Sequence, residues 1–139
     1  MARWTQIETF SPCVRNDTIM AKFMMILHNP PGIWRNLSPE EMQRKVEKYQ
    51  AWANAMRSSG RHVSSEKLAE EGGKLLTRHQ GRVSIVDGPY SEAKEVVGGY
   101  FLFRAADYEE AMALTRDCPF LDDCRIEIRQ TDPTGCGGD

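Results

Sequence analysis

Apolar residues along this chain follow two rhythms, and the switches between them mark out its elements. Lys22 to Leu27 is a short apolar run that ends in His28-Asn29-Pro30-Pro31-Gly32, the pattern of a strand delivering the chain into a turn-rich loop. From Ser38 the period changes. Met42, Val46, Tyr49, Ala53 and Met56 recur at steps of four and three, one face of a helix. Ser38 and Glu41 have the spacing of a capping box, Pro39 suits the first helical position, and Ser58-Ser59-Gly60 ends the helix.

Arg61 to Leu68 reads as a weak strand. Leu75 to His79 and Arg82 to Asp87 flank Gln80-Gly81, the signal of a hairpin with a two-residue turn. A loop from Gly88 to Gly98 leads into Gly99 to Arg104, a β-forming run carrying Tyr100, Phe101, Leu102 and Phe103. Asp107 caps a second helix with Glu110 three residues on, and Pro119 stops it. Cys124, Ile126 and Ile128 then alternate with Arg125, Glu127 and Arg129, which predicts a half-buried strand with one wet face.

This order, β-α-β-(β-hairpin)-β-α-β, predicts an α+β, ferredoxin-like domain with two helices on one face of an antiparallel sheet. The strands at 23–27 and 100–103 are apolar at both parities, so both sheet faces should be covered there. Two helices cover one face. The simplest cover for the other is a second copy packed sheet to sheet as a two-fold homodimer; the alternative is that the 29–37 and 88–98 loops fold over it.

The 139 residues amount to about one domain, read as an extension over 1–19, a domain over 20–131 and a Gly-rich tail over 132–139. Eighteen Lys and Arg against 20 Asp and Glu are interspersed along the chain, which argues against nucleic acid as a partner. No apolar run approaches the ~18 residues of a membrane span, and residues 1–19 lack a signal-peptide core, so a cytoplasmic location is expected. Cys13, Cys118, Cys124 and Cys136 form no C-x-x-C pair, and no histidine stands at zinc-finger spacing. No metal is expected; Cys118 and Cys124 read as small core residues. Gly98-Gly99 lacks the pattern of a phosphate loop, and no cofactor is expected.

The most distinctive segment is Asp87-Gly88-Pro89-Tyr90-Ser91-Glu92-Ala93-Lys94-Glu95-Val96-Val97-Gly98-Gly99-Tyr100. With Tyr90 in place of Phe, it resembles the D-G-P-F…E-x-K-E…G-G-[YF] signature of the YCII-related, or DGPF-domain, family. The likeness extends to Lys22-Phe23-Met24, Leu37-Ser38-Pro39-Glu40-Glu41 and Asp107-Tyr108-Glu109-Glu110-Ala111. The resemblance implies the dimeric α+β barrel fold and a small enzyme or small-ligand binder. It also implies a His/Asp acid/base pair beside the sheet, for which Asp87 matches the signature and His28 is the nearest positional candidate.

Asp87 closes a strand at a rigid Gly-Pro turn, and a histidine ending a neighbouring strand would meet it as general base with an orienting partner. The competing role for Asp87 is simply to cap its own turn. Tyr90, Glu92, Lys94, Glu95 and Tyr100 are the substrate-binding candidates, with Lys94 as the anion-binding head. Tyr49, Trp34 and Trp52 are candidates for a pocket or for core, and His62 and His79 read as surface residues. Three functions follow: a cofactor-free enzyme working by proton transfer on a small organic substrate; a non-catalytic, ligand-binding or stress-responsive dimeric module; or a purely structural dimer, against which the long polar loop beside an aromatic strand argues.

Overall fold

The structure is a computed structural model and describes residues 20–88 and 94–133. The expected extension over 1–19 lies outside the described residues, as do 89–93 and all but the start of the expected tail.

The elements run β1 (Ala21–Asn29), α1 (Pro39–Ser58), β2 (His62–Lys67), β3 (Lys74–His79), β4 (Arg82–Asp87), β5 (Val96–Ala105), α2 (Tyr108–Thr115) and β6 (Arg125–Gln130), with a 3-10 turn at Pro119–Asp122. Strands β2-β5-β1-β6 form one sheet in that order, each neighbouring pair antiparallel. This is the α+β, ferredoxin-like arrangement read from the sequence.

Local chemistry fixes the helix ends. The Glu41 backbone N–H donates to Ser38 Oγ at 3.1 Å, and the Ser38 N–H donates to the Glu41 carboxylate at 2.9 Å, so the capping box is complete. At the other end Gly60 takes φ 79°, its N–H reaching Arg57 O and the Arg61 N–H reaching Met56 O. Those two bonds satisfy carbonyls that the helix end would otherwise leave open. Arg61 then donates to Glu110 at 3.0 Å and to Arg104 O at 3.1 Å, tying the exit of α1 to the start of α2.

On the helix side of the sheet, Phe23, Met25, Phe101 and Phe103 are fully or almost fully buried and pack with Ala53, Met56, Ala111 and Cys118. Each large side chain there contributes on the order of 1.5–3 kcal/mol by leaving water. Cys118 and Cys124 are free and buried, as their reading as core residues required. His62 departs from its reading as a surface residue: its ring meets Phe101 edge-on at 5.0 Å and is half-buried.

The alternate residues of the central strands point the other way. Met24, Ile26, Tyr100 and Leu102 are only half-buried, because both helices lie on the opposite face. The alternative cover by the 29–37 loop is not what forms: Trp34 of that loop packs on Phe120 and beneath Lys45, on the helix side.

The hairpin forms as the sequence indicates, with Gln80 at φ 51° and Gly81 at φ 81° making a mirror-image turn suited to the strand twist. It does not join the main sheet. β3 and β4 pair only with each other, and all 12 of their residues are exposed, among them Leu75, Leu76, Val83, Ile85 and Val86.

Candidate functional site

A cleft of about 360 Å³ lies between α1 and the helix side of the sheet. Its floor is Met25, Leu27 and Asn29 of β1 with Gly98 and Gly99 of β5, and its roof is Met42, Val46 and Tyr49 from the apolar stripe of α1. Trp34 and Phe120 close one end; Leu68 and Val96 stand at the strand ends.

Two glycines make room for it. Gly98 is the extra residue of a β-bulge, since Gly99 pairs with Leu27 but Val97 pairs with His28. A Cβ at Gly98 would lie 2.0 Å from Asn29 Oδ1, and one at Gly99 would lie 2.7 Å from Glu66 O. The glycine pair of the signature is therefore required by close approach, from a buried side-chain amide and from the β2 backbone. Asn29 itself is nearly sealed from solvent and donates to Pro30 O at 3.0 Å.

The polar groups of the cleft gather toward the end of α1 and the middle of β2. Burial raises the Tyr49 hydroxyl pKa, with Cys118 adding to the rise, so the group stays a proton donor. Ser65 Oγ lies 3.1 Å from His62 Nε2, and burial, followed by the nearby Arg57 charge, lowers the His62 pKa. A lowered value keeps that imidazole neutral near pH 7.

A second polar cluster occupies the other face at the same end of the sheet. His28 Nε2 and Glu127 Oε1 are 2.8 Å apart. Beside them Arg125 grips Glu95 through both oxygens, at 2.6 to 3.1 Å. That hydrogen bonding lowers the Glu95 pKa and holds it as a carboxylate.

Asp87 is elsewhere. Its carboxylate takes a hydrogen bond from Lys74 Nζ at 2.5 Å across the base of the hairpin, and its side chain is 83% exposed. Within one chain, His28 and Asp87 share no hydrogen bond, because Asp87 belongs to the self-paired hairpin while His28 ends a strand of the main sheet. The following Gly88 presses against the neighbouring turn: its N–H donates to Gly73 O at 2.9 Å, and a Cβ there would lie 2.0 Å from Gly72 O. The Asp-Gly corner thus secures the base of the hairpin.

Of the substrate-binding candidates, Tyr100 borders the cleft, but its side chain lies on the face away from the helices, with its hydroxyl 3.4 Å from Ser64 Oγ. Lys94 is exposed, Glu95 is engaged by Arg125, and Tyr90 and Glu92 lie outside the described residues. Sequence reasoning passed over Asn29, Ser65, Arg57 and Lys67 as site residues. Only Asn29, a polar residue at a buried parity of β1, left a readable trace. Among the described residues no cluster of His, Cys, Asp and Glu suits a metal ion, and no helix is long and apolar enough to cross a membrane.

A four-stranded antiparallel sheet with two helices on one face, and an apolar cleft beneath the longer of them, defines a ferredoxin-like α+β domain. The family model of the YCII-related domain matches residues 21–133, and the chain belongs to that family, as the Asp-Gly-Pro segment led one to expect. It is also similar to the uncharacterized protein R00369 of Rhizobium meliloti (strain 1021), 25% identical over 96 residues that cover 68% of this chain and 77% of that protein.

Proposed function

We propose that this YCII-related chain holds a small, largely apolar organic molecule in the cleft under α1 and works as a two-fold homodimer. The cleft carries the reading. Its volume of about 360 Å³ and its lining of Met, Leu, Val, Trp and Tyr with a few polar groups suit a small ligand. Val46, exposed on the roof, offers a test: Val46→Trp would fill the space without disturbing the core. Fragments found by ligand-observed NMR should lose binding in that variant. Fragments that bind it unchanged would place the site elsewhere and defeat the reading.

The cleft by itself makes a binding module, because His28 alternates with the floor residues Leu27 and Asn29 and lies on the face away from the cleft. An enzyme working by proton transfer is the second reading, favoured by one observation: His28 stands 2.8 Å from Glu127, a base with its orienting carboxylate, and its substrate would react on that other face. Turnover of any screened compound that disappears in His28→Ala, with cleft binding kept, selects the enzyme. Binding without turnover in either protein selects the module.

The homodimer is supported by the half-covered Met24, Ile26, Tyr100 and Leu102 and by the apolar hairpin, since monomers rarely leave so much apolar surface contiguous with water. Sedimentation should give a dimer, and replacing both Leu76 and Ile85 with Ser should weaken it. A monomeric wild-type chain at micromolar concentration would remove this part of the proposal.

A further inference from the structure

The rim of the cleft carries two cationic side chains that have no carboxylate partner among the described residues. Arg57, in the last turn of α1, donates to Asn54 Oδ1 at 3.0 Å and has no carboxylate partner among the described residues. Lys67 has no ion-pair or hydrogen-bond partner among them. Its position is set by register: Ser65 pairs with Phe101 and Lys67 with Gly99, so Lys67 shares the helix-side face with Ser65, opposite a residue that has no side chain to block it. The Tyr49 hydroxyl also makes no hydrogen bond among the described residues, and it lies near enough to Arg57 to feel its charge. Arg57 in turn acts on His62, which is bonded to Ser65.

The cleft's own acids do not neutralise this end. Glu66 sits at the other parity of β2, opposite Tyr100, and Glu70 stands on the connection beyond the strand; neither pairs with Arg57 or Lys67. Lys45, the third cation of the cleft, is already bound to Asp123 and lies over the Trp34 ring. What remains is an apolar interior with two cations unmatched among the described residues and a phenol in its wall. Such a site favours an amphiphile with a small anionic head, because the hydrocarbon leaves water while the head stays at the wetted rim. A cationic head would meet Arg57 and Lys67 with like charge.

We propose that the cleft selects a monocarboxylate with a compact aromatic or short aliphatic body, its carboxylate received by Arg57, Lys67 and the Tyr49 hydroxyl and its body laid against Met25, Leu27 and Trp34. This assignment rests on the cleft being the ligand site, and it adds the chemical class that the site takes. Arg57 supplies the directional fork and Lys67 a mobile point charge.

The test uses two probes of nearly equal shape, 3-phenylpropionate and 3-phenyl-1-propanol, titrated into the isotope-labelled full chain and followed by NMR. The carboxylate should bind roughly tenfold more tightly than the alcohol, shift the resonances of cleft residues, and lose most of that advantage at high salt. Arg57→Gln and Lys67→Gln should each weaken the carboxylate and leave the alcohol unchanged, which also shows that the variants are folded. Equal binding of both probes in the cleft, unaffected by either substitution, overturns the carboxylate assignment while the cleft stands as a ligand site. If neither probe moves cleft resonances, the assignment is overturned together with the reading of the cleft on which it rests.

Discussion

The His28 imidazole and the Glu127 carboxylate meet at 2.8 Å although 99 positions separate them in the chain. The contact exists because β1 lies between β5 and β6 and the β1–β6 register sets Arg125 opposite His28 and Glu127 opposite Ile26, on the same side of the sheet. Asp87, the carboxylate that the signature brings to mind, is engaged by Lys74 instead.

That geometry puts both His28 and Glu127 on the face of the sheet away from the cleft. His28→Ala, Glu127→Gln and Asp87→Asn should therefore each leave the affinity of a cleft-bound fragment within error of wild type. For a compound that reacts at the His28 face instead, His28→Ala should lower kcat by about 100-fold or more, the range of a lost general base, and Asp87→Asn should leave it unchanged. NMR titration of the three variants checks the first expectation, and a fragment that loses its binding in His28→Ala would show that the imidazole reaches the cleft.

Glu110 gives a pH dependence whose sign is fixed by its bonds. Its carboxylate accepts the Ala106 N–H at 2.7 Å and the Arg61 guanidinium at 3.0 Å, and these lower its pKa below the usual carboxylate value, the backbone bond contributing most. A depressed folded value means the stabilisation is fully present above the unfolded carboxylate pKa and fades as pH falls through the folded one. Glu110→Gln should therefore be less stable than wild type at pH 7. The gap should close as the pH drops below the carboxylate range, as read from urea midpoints across pH.

At Gly98 the expected effect is steric. Gly98→Ala should cost on the order of 1–3 kcal/mol, since the new methyl would overlap the Asn29 amide. Asn29→Ala in the same chain should recover part of that loss, giving a coupling of about 1 kcal/mol in a double-mutant cycle of chemical denaturation. Strict additivity would mean that the two side chains do not collide.

The buried thiols should be inert. Burial pushes the pKa of Cys118 and of Cys124 up to about 11, so little thiolate exists near neutral pH. With Cys13 and Cys136 changed to Ser, iodoacetamide should label the native chain only slowly at pH 7.5 and label it fully in urea. Fast native labelling would contradict the packing described for both.

Much of the fold was legible because its signals are local. The capping box of Ser38 and Glu41, the Gln80-Gly81 turn and the alternation after Cys124 each involve residues a few positions apart, and each appears where the sequence put it. The site was less legible because it is made by distant apposition. Nothing in the neighbourhood of Glu127 announces His28, and the donor set of Arg57, Ser65 and Lys67 exists only once α1 lies across β2 and β5. The hairpin shows the same divide: its turn is written in two residues, but its separation from the main sheet depends on β2, not β3, having claimed the edge of β5.

That separation leaves the arm mechanically independent. The four-stranded ladder closes from β2 to β6 without a single bond from β3 or β4, so insertions, deletions or recoloured surfaces in the arm need not disturb the register that shapes the cavity. Natural variation can retune what the protrusion touches while the ligand chamber keeps its dimensions, and a grafted or shortened arm offers an engineer the same freedom.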